Sequence, residues 1–236
     1  MSDADRARRT RWWARRAQPI GLGIGWLLAV SGATWAPWVE RPAAALVLTA
    51  PDLAEFVKFL PEVRHGALAI QRLSFLAPLF LLTSGTPWIF GRALMPGLPM
   101  GLRVLARWLM LPLALLLLPP VWNPVVLISE EFRLQTAGCV LCLLLALLWR
   151  SHWHVPRPMG LLWALGWVAA PALALWQFTQ AQSAIARAYA APIVPGWGSW
   201  ATLGGGLLMS WILGWGWCCA RHGETRRTAP TGSGSR

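Results

Sequence analysis

The chain has 236 residues, 56% of them hydrophobic and only 13% charged, and 21 basic residues against nine acidic give a formal net charge of +12. Globular domains carry about 25% charged residues, so the charge suits a soluble nucleic-acid binder but the long apolar runs do not, and a disordered chain would lack such runs. Four cysteines are too sparse for a disulfide scaffold, and the composition points to an all-α polytopic membrane protein.

Residues 1–19 open the chain with Arg6, Arg8, Arg9, Arg11, Arg15 and Arg16 and read as a basic cytoplasmic segment. A helix needs roughly 20 mostly apolar residues to cross a bilayer. Six stretches meet that need, at about 20–39, 68–90, 104–121, 132–150, 159–178 and 197–220, so the domain 20–220 is expected to be a bundle of six transmembrane helices. An alternative is cleavage of the first stretch as a signal peptide after its small residues Ser31 and Ala33, which leaves five spans. Residues 221–236 form a polar, basic tail expected to be disordered and cytoplasmic.

Orientation follows the arginines. The N-terminal segment, the second-to-third connection (Arg92, Arg103, Arg107), the fourth-to-fifth (Arg150, Arg157) and the tail (Arg221, Arg226, Arg227, Arg236) hold fifteen basic residues against Asp3, Asp5 and Glu224. The remaining three connections hold six of each sign. Both N and C termini are therefore expected in the cytoplasm. Nucleic acid is not an expected partner, because its basic patch would gather on one folded face.

Within the first outer connection, residues 51–61 read as one short amphipathic helix. Pro51 suits its first position, Asp52 and Glu55 lie near its start, and Pro61 stops it. Leu53, Phe56, Val57 and Leu60 share one face, expected to lie on lipid headgroups, with a cap over the bundle as the alternative. Residues 177–189 extend the fifth helix in more polar form until Pro192, Pro195 and Gly196 break it. Tryptophans fall near both boundaries: Trp35, Trp38, Trp122, Trp176, Trp197 and Trp200 outside, Trp88, Trp108, Trp149, Trp153, Trp163, Trp215 and Trp217 inside.

Lipid supplies no hydrophobic drive between helices, so close packing needs small residues at helical spacing. Thr202, Gly206, Ser210 and Gly214 form one such ridge; Gly21, Gly25, Ala29 and Ala33 form another. Internal packing is the expected use, and a dimerisation face the alternative. Pro78, Pro112 and Pro171 interrupt three spans, and the likeness of Leu76-Ala77-Pro78-Leu79 to Ala169-Ala170-Pro171-Ala172 fits an inverted repeat.

Chemistry is sparse. Cys139 and Cys142 have redox-pair spacing, but roughly 13 Å below Glu130 on a helix they suit packing better. His152 and His154, with Cys218, Cys219 and His222, form a metal candidate on the cytoplasmic side; the crowding arginines disfavour it, and no metal or cofactor is expected. No histidine lies in a span to hold haem, and neither a phosphate-binding GxxxxGK[ST] loop nor an HExxH helix is present. Asp52, Glu55, Glu62 and His65, with Glu130 and Glu131, are the candidate acid–base set; the expected use is a structural network with Lys58, Arg64 and Arg133. Arg72 is expected to reach the outer headgroups.

The leading expectation is a non-catalytic subunit or small transporter component of the cell membrane. Its partners would be the lipid bilayer, other membrane subunits or a second copy. One alternative is an integral-membrane enzyme acting on a lipid or quinone at the outer interface, predicting that Asp52, Glu55, Glu62 and His65 converge on one pocket. Another is an autonomous carrier or channel with a polar cavity bordered by Pro78 and Pro171.

Overall fold

Pro19 sets the first turn of α1 (Gln18–Thr34), and the helix stops just before Pro37, whose ring disfavours helical backbone at Ala36. The computed structural model describes residues 17–41, 46–120, 123–149 and 156–225, and all their side chains except those at 41, 46, 157 and 218–225. After α1 the chain forms a feature absent from the sequence reading, an antiparallel hairpin of β1 (Val39–Arg41) and β2 (Leu46–Leu48), with Val39 opposite Leu48. Then come α2 (Ala50–Phe56), a 3-10 turn (Val57–Phe59) and α3 (Pro61–Arg64). The rest is α4 (Leu73–Ile89), α5 (Met100–Leu115), α6 (Pro124–Leu127), α7 (Arg133–Leu148), α8 (Arg157–Ala188) and α9 (Trp197–Thr225). Among the described residues the chain is mostly helical and of the all-α class.

The expected helix over 51–61 is two helices. Thr49 and Asp52 close a capping box at the start of α2, Thr49 N–H donating to Asp52 Oδ2 at 3.1 Å. Leu60, preceding Pro61, takes an extended backbone (ψ 128°) and divides α2 and the turn from α3. The apolar face also turns inward: Leu53, Val57 and Leu60 are buried in the main core, so this segment caps the bundle.

Side-chain contacts fix the direction of the long helices. Gly25 meets Gly205 while Gly32 meets Gly198 and Thr202, so α1 and α9 are antiparallel. Ser210 donates to Ala164 O at 2.6 Å, and Trp167 Nε1 to Leu81 O at 3.3 Å, placing α8 beside both α9 and α4. Cys139 Sγ donates to Ala114 O at 3.1 Å and Arg107 Nε to Ala146 O at 2.8 Å, so α5 and α7 are antiparallel. Gly138 packs on Phe80, joining α7 to α4. The hairpin, α2, α3 and the starts of α4 and α7 thus share one end of the bundle, the hairpin end. Arg92, Arg103 and Arg107 lie toward the other, the arginine end.

One described helix, over Pro158–Ala188, is long and apolar enough to cross a membrane. Leu73–Ile89 and Arg133–Leu148 are apolar but shorter, about 25 Å at 1.5 Å per residue. The six apolar stretches of the sequence therefore correspond to six long helices, of which one, α8, is both long and apolar enough to span.

Backbone chemistry explains the tightest contacts. Pro171 has no N–H to give the Trp167 carbonyl, and Gly206 fits directly against that freed oxygen. Three tryptophans assigned to boundary belts, Trp38, Trp88 and Trp149, are interior instead. Trp38 is fully buried and donates to Gly32 O at 2.9 Å; Trp88 is 7% exposed and stacks on Trp163 and Trp167 at 6.1 and 5.7 Å. Trp26 is likewise internal, its Nε1 donating to Thr86 Oγ1 at 2.9 Å. Each buried indole with a named acceptor avoids leaving its N–H unsatisfied.

Candidate functional site

The residues that carry charge at the hairpin end meet around Arg72, one position before α4. Its Nη1 lies 3.1 Å from Glu55 Oε1 and 3.6 Å from Glu131 Oε1, its Nη2 donates to Gln135 Oε1, and its guanidinium lies 4.3 Å from the Phe132 ring centroid. Lys58 joins Glu55 and, at 3.2 Å, Glu131, with its Nζ 4.9 Å from the same ring. Gln135 is 3% exposed and passes the network inward, donating Nε2 to Leu117 O at 2.8 Å. The cluster therefore ties α2 and its 3-10 turn to the start of α4, the start of α7 and the end of α5.

This corrects the expectation for Arg72. Its side chain is only 13% exposed and is engaged by Glu55, Glu131 and Gln135 rather than extended to headgroups. The sequence signal was a lone arginine near the start of an apolar run, and the distant Glu131 and Gln135 gave no hint of their pairing with it.

The four candidate acid–base residues take separate roles. Asp52 caps α2 through Thr49. Glu55 pairs with Arg72 and Lys58. Glu62 accepts from Arg187 Nη2 at 2.6 Å and Nε at 3.2 Å, joining α3 to the last turn of α8. Those Arg187 hydrogen bonds, with one from the Glu62 backbone, hold the Glu62 carboxyl below the usual carboxylate range. His65 is exposed at the end of α3. Asp52, Glu55 and Glu62 share no partner, so the convergence that the enzyme alternative predicts is not the arrangement found. Arg133 approaches Glu130 at 4.0 Å, and Arg64 enters no ion pair among the described residues.

Cys139 and Cys142 are buried free thiols on α7, facing Ala114 O and Phe80 O. His152 and His154 lie outside the described residues, and so do the side chains of Cys218 and His222, whose backbone is in the last turns of α9. Among the described residues no group of three or more His, Cys, Asp or Glu could hold a metal ion.

The small-residue ridge of α9 divides between two neighbours. Thr202 faces Gly32 of α1, while Gly206 meets the Trp167 carbonyl and Ser210 bonds Ala164 O, both on α8. Gly214 has nothing within 4 Å of where a Cβ would stand. Toward α1 the seam runs Gly198, Thr202, Gly205, Met209 and Ile212, meeting Gly32, Gly25 and Gly21. Its spacing alternates four and three, which a search at fixed intervals of four passes over.

No protein-family model, curated protein or solved structure matches the chain.

Proposed function

We propose that this chain is a multi-pass protein of the cell membrane, its six long helices embedded side by side, serving as a non-catalytic subunit of a membrane assembly. The observation that carries the membrane reading is the apolar exterior. Leu27 of α1, Leu134 and Leu147 of α7, Leu162 and Leu165 of α8 and Trp211 of α9 are each about 60–70% exposed. Inside, glycines and Thr202 make the closest contact between α1 and α9, beside large buried side chains such as Phe75, Trp167 and Phe178. Soluble monomers rarely expose contiguous apolar patches beyond a few hundred Å², whereas a bundle in lipid turns large apolar residues outward and small ones inward.

The arginine distribution supports the same arrangement, since Arg92, Arg103 and Arg107 collect at the end opposite the hairpin. A cytoplasmic arginine end puts the hairpin end outside. The subunit reading rests on what the hairpin-end carboxylates do: they hold a cap closed over the bundle through Arg72, Lys58 and Arg187. Lipid is the first partner on this reading, and other membrane subunits or a second copy the next.

Alkaline carbonate extraction should leave the protein in the membrane pellet, and purification in mild detergent should bring down a stoichiometric protein partner. A lone monodisperse protein from that purification would contradict the subunit reading. Recovery in the carbonate supernatant would contradict the membrane reading as well.

A further inference from the structure

At the arginine end, α5 and α7 enclose a groove of about 170 Å³ lined by Val104, Arg107, Trp108, Leu111, Ala146 and Leu147. Its wall is apolar except for one guanidinium. Arg107 Nε and Nη2 donate to Ala146 O and Leu147 O, two of the carbonyls that the end of α7 leaves without helical partners. Its Nη1 has no protein acceptor among the described residues.

One helical turn earlier, about 6 Å along the axis, stands Arg103. It is 5% exposed, its Nη2 donates to the loop carbonyls Met95 O and Pro96 O, and its Nε is buried with no acceptor. Arg92 is near enough to add a second, repelling positive charge. None of the three arginines forms an ion pair with a carboxylate among the described residues. A buried guanidinium without an opposing charge is costly, and Arg geometry favours phosphate oxygens.

We infer that this face is a binding site for one phospholipid of the arginine-end leaflet. Its anionic phosphodiester lies against the exposed Arg107, with the buried Arg103 adding positive potential from behind, and one acyl chain lies in the Val104–Trp108–Leu111 groove. The placement rests on the membrane reading proposed above. It matches the order along α5: Arg103 and Arg107 alternate with Val104 and Trp108, and Leu111 carries the apolar wall on toward the middle of the bundle. Trp108, 63% exposed at the groove, supplies a broad aromatic surface where acyl chain and headgroup meet.

The test is native mass spectrometry of protein purified in mild detergent and loaded with an equimolar mixture of phosphatidylglycerol and phosphatidylcholine. Wild type should retain one phosphatidylglycerol at least about fivefold more often than phosphatidylcholine. Arg107→Gln, which removes the cation, and Val104→Trp, which fills the groove, should each reduce that retention about fivefold or more, and Arg107→Lys should fall between. Arg133→Gln, at the opposite end, should leave it unchanged. Melting in phosphatidylcholine alone selects the variants that fold as wild type does, and Val104→Trp provides a readout independent of the α7 cap that Arg107 supplies.

Equal retention of the two lipids, or retention untouched by both Arg107→Gln and Val104→Trp, overturns the inference. Complete displacement of the lipid by millimolar inorganic phosphate also overturns it, because the ligand would then be free phosphate. A protein that needs detergent yet keeps no phosphatidylglycerol refutes this site alone; one that stays dispersed without detergent refutes the membrane reading beneath it.

Discussion

Replacing Arg72 with alanine removes the group at which four segments meet. The lost charge-assisted bond to Glu55 is worth about 1.5–3 kcal/mol, toward the lower figure because Glu55 is 24% exposed and keeps Lys58. Gln135, at 3% exposure, then loses the partner of its Oε1, and an orphaned buried acceptor costs about 1–3 kcal/mol. The Phe132 contact adds roughly 0.5–1 kcal/mol. Because these terms overlap, Arg72→Ala should destabilise the bundle by about 3 kcal/mol. Equilibrium unfolding from mild-detergent into SDS micelles, followed by the fluorescence of the 18 tryptophans, reads this directly. Arg72→Lys keeps the charge without the fork and should fall between. Glu131→Gln, at a side chain 53% exposed, should cost within about 1 kcal/mol. A loss below about 1 kcal/mol for Arg72→Ala would refute the latch.

A Cβ at Gly205 would stand 2.5 Å from both Ala29 N and Gly25 O, so Gly205→Val must separate α1 from α9 and should cost about 3 kcal/mol or more in the same unfolding assay. Gly214→Val, with nothing within 4 Å, should stay within about 0.5 kcal/mol of wild type. Glu62 titrates below its unfolded value, so its tie to Arg187 stabilises the fold above the ordinary carboxylate range and is lost as pH falls through the lowered value. A carboxyl-carbon NMR titration should show that shift in wild type and its upward return in Arg187→Gln. Cys139 and Cys142 should resist a bulky maleimide until SDS unfolds the bundle, as mass spectrometry of the α7 peptide would show.

The positions of the long helices were legible because their signals are local: apolar length, proline at first turns, and arginines between runs. Pro37 shortened the first helix and Pro61 divided the cap, both readable in principle from the restriction that proline places on its predecessor. The hairpin escaped notice because strands of three residues carry too little alternation. The charge network was half legible. Lys58 with Glu55 and Arg133 with Glu130 lie three residues apart, whereas Arg72–Gln135 and Glu62–Arg187 are joined only by the packing of distant helices. The indoles of Trp38 and Trp88 show the same limit: boundary position in sequence does not say whether a side chain points outward or into the bundle, and partners such as Gly32 O and Trp163 decide it.

Placing the two ends of the bundle on opposite sides of a membrane tests the account most directly. With Cys218 and Cys219 replaced by serine, single cysteines introduced as Ala67→Cys at the hairpin end and Gly97→Cys in the loop before α5 are probed in intact cells with a membrane-impermeant maleimide. Both positions are exposed. The account predicts labelling of the Ala67→Cys protein in intact cells, and of the Gly97→Cys protein only after lysis. Equal labelling of both before lysis would contradict it.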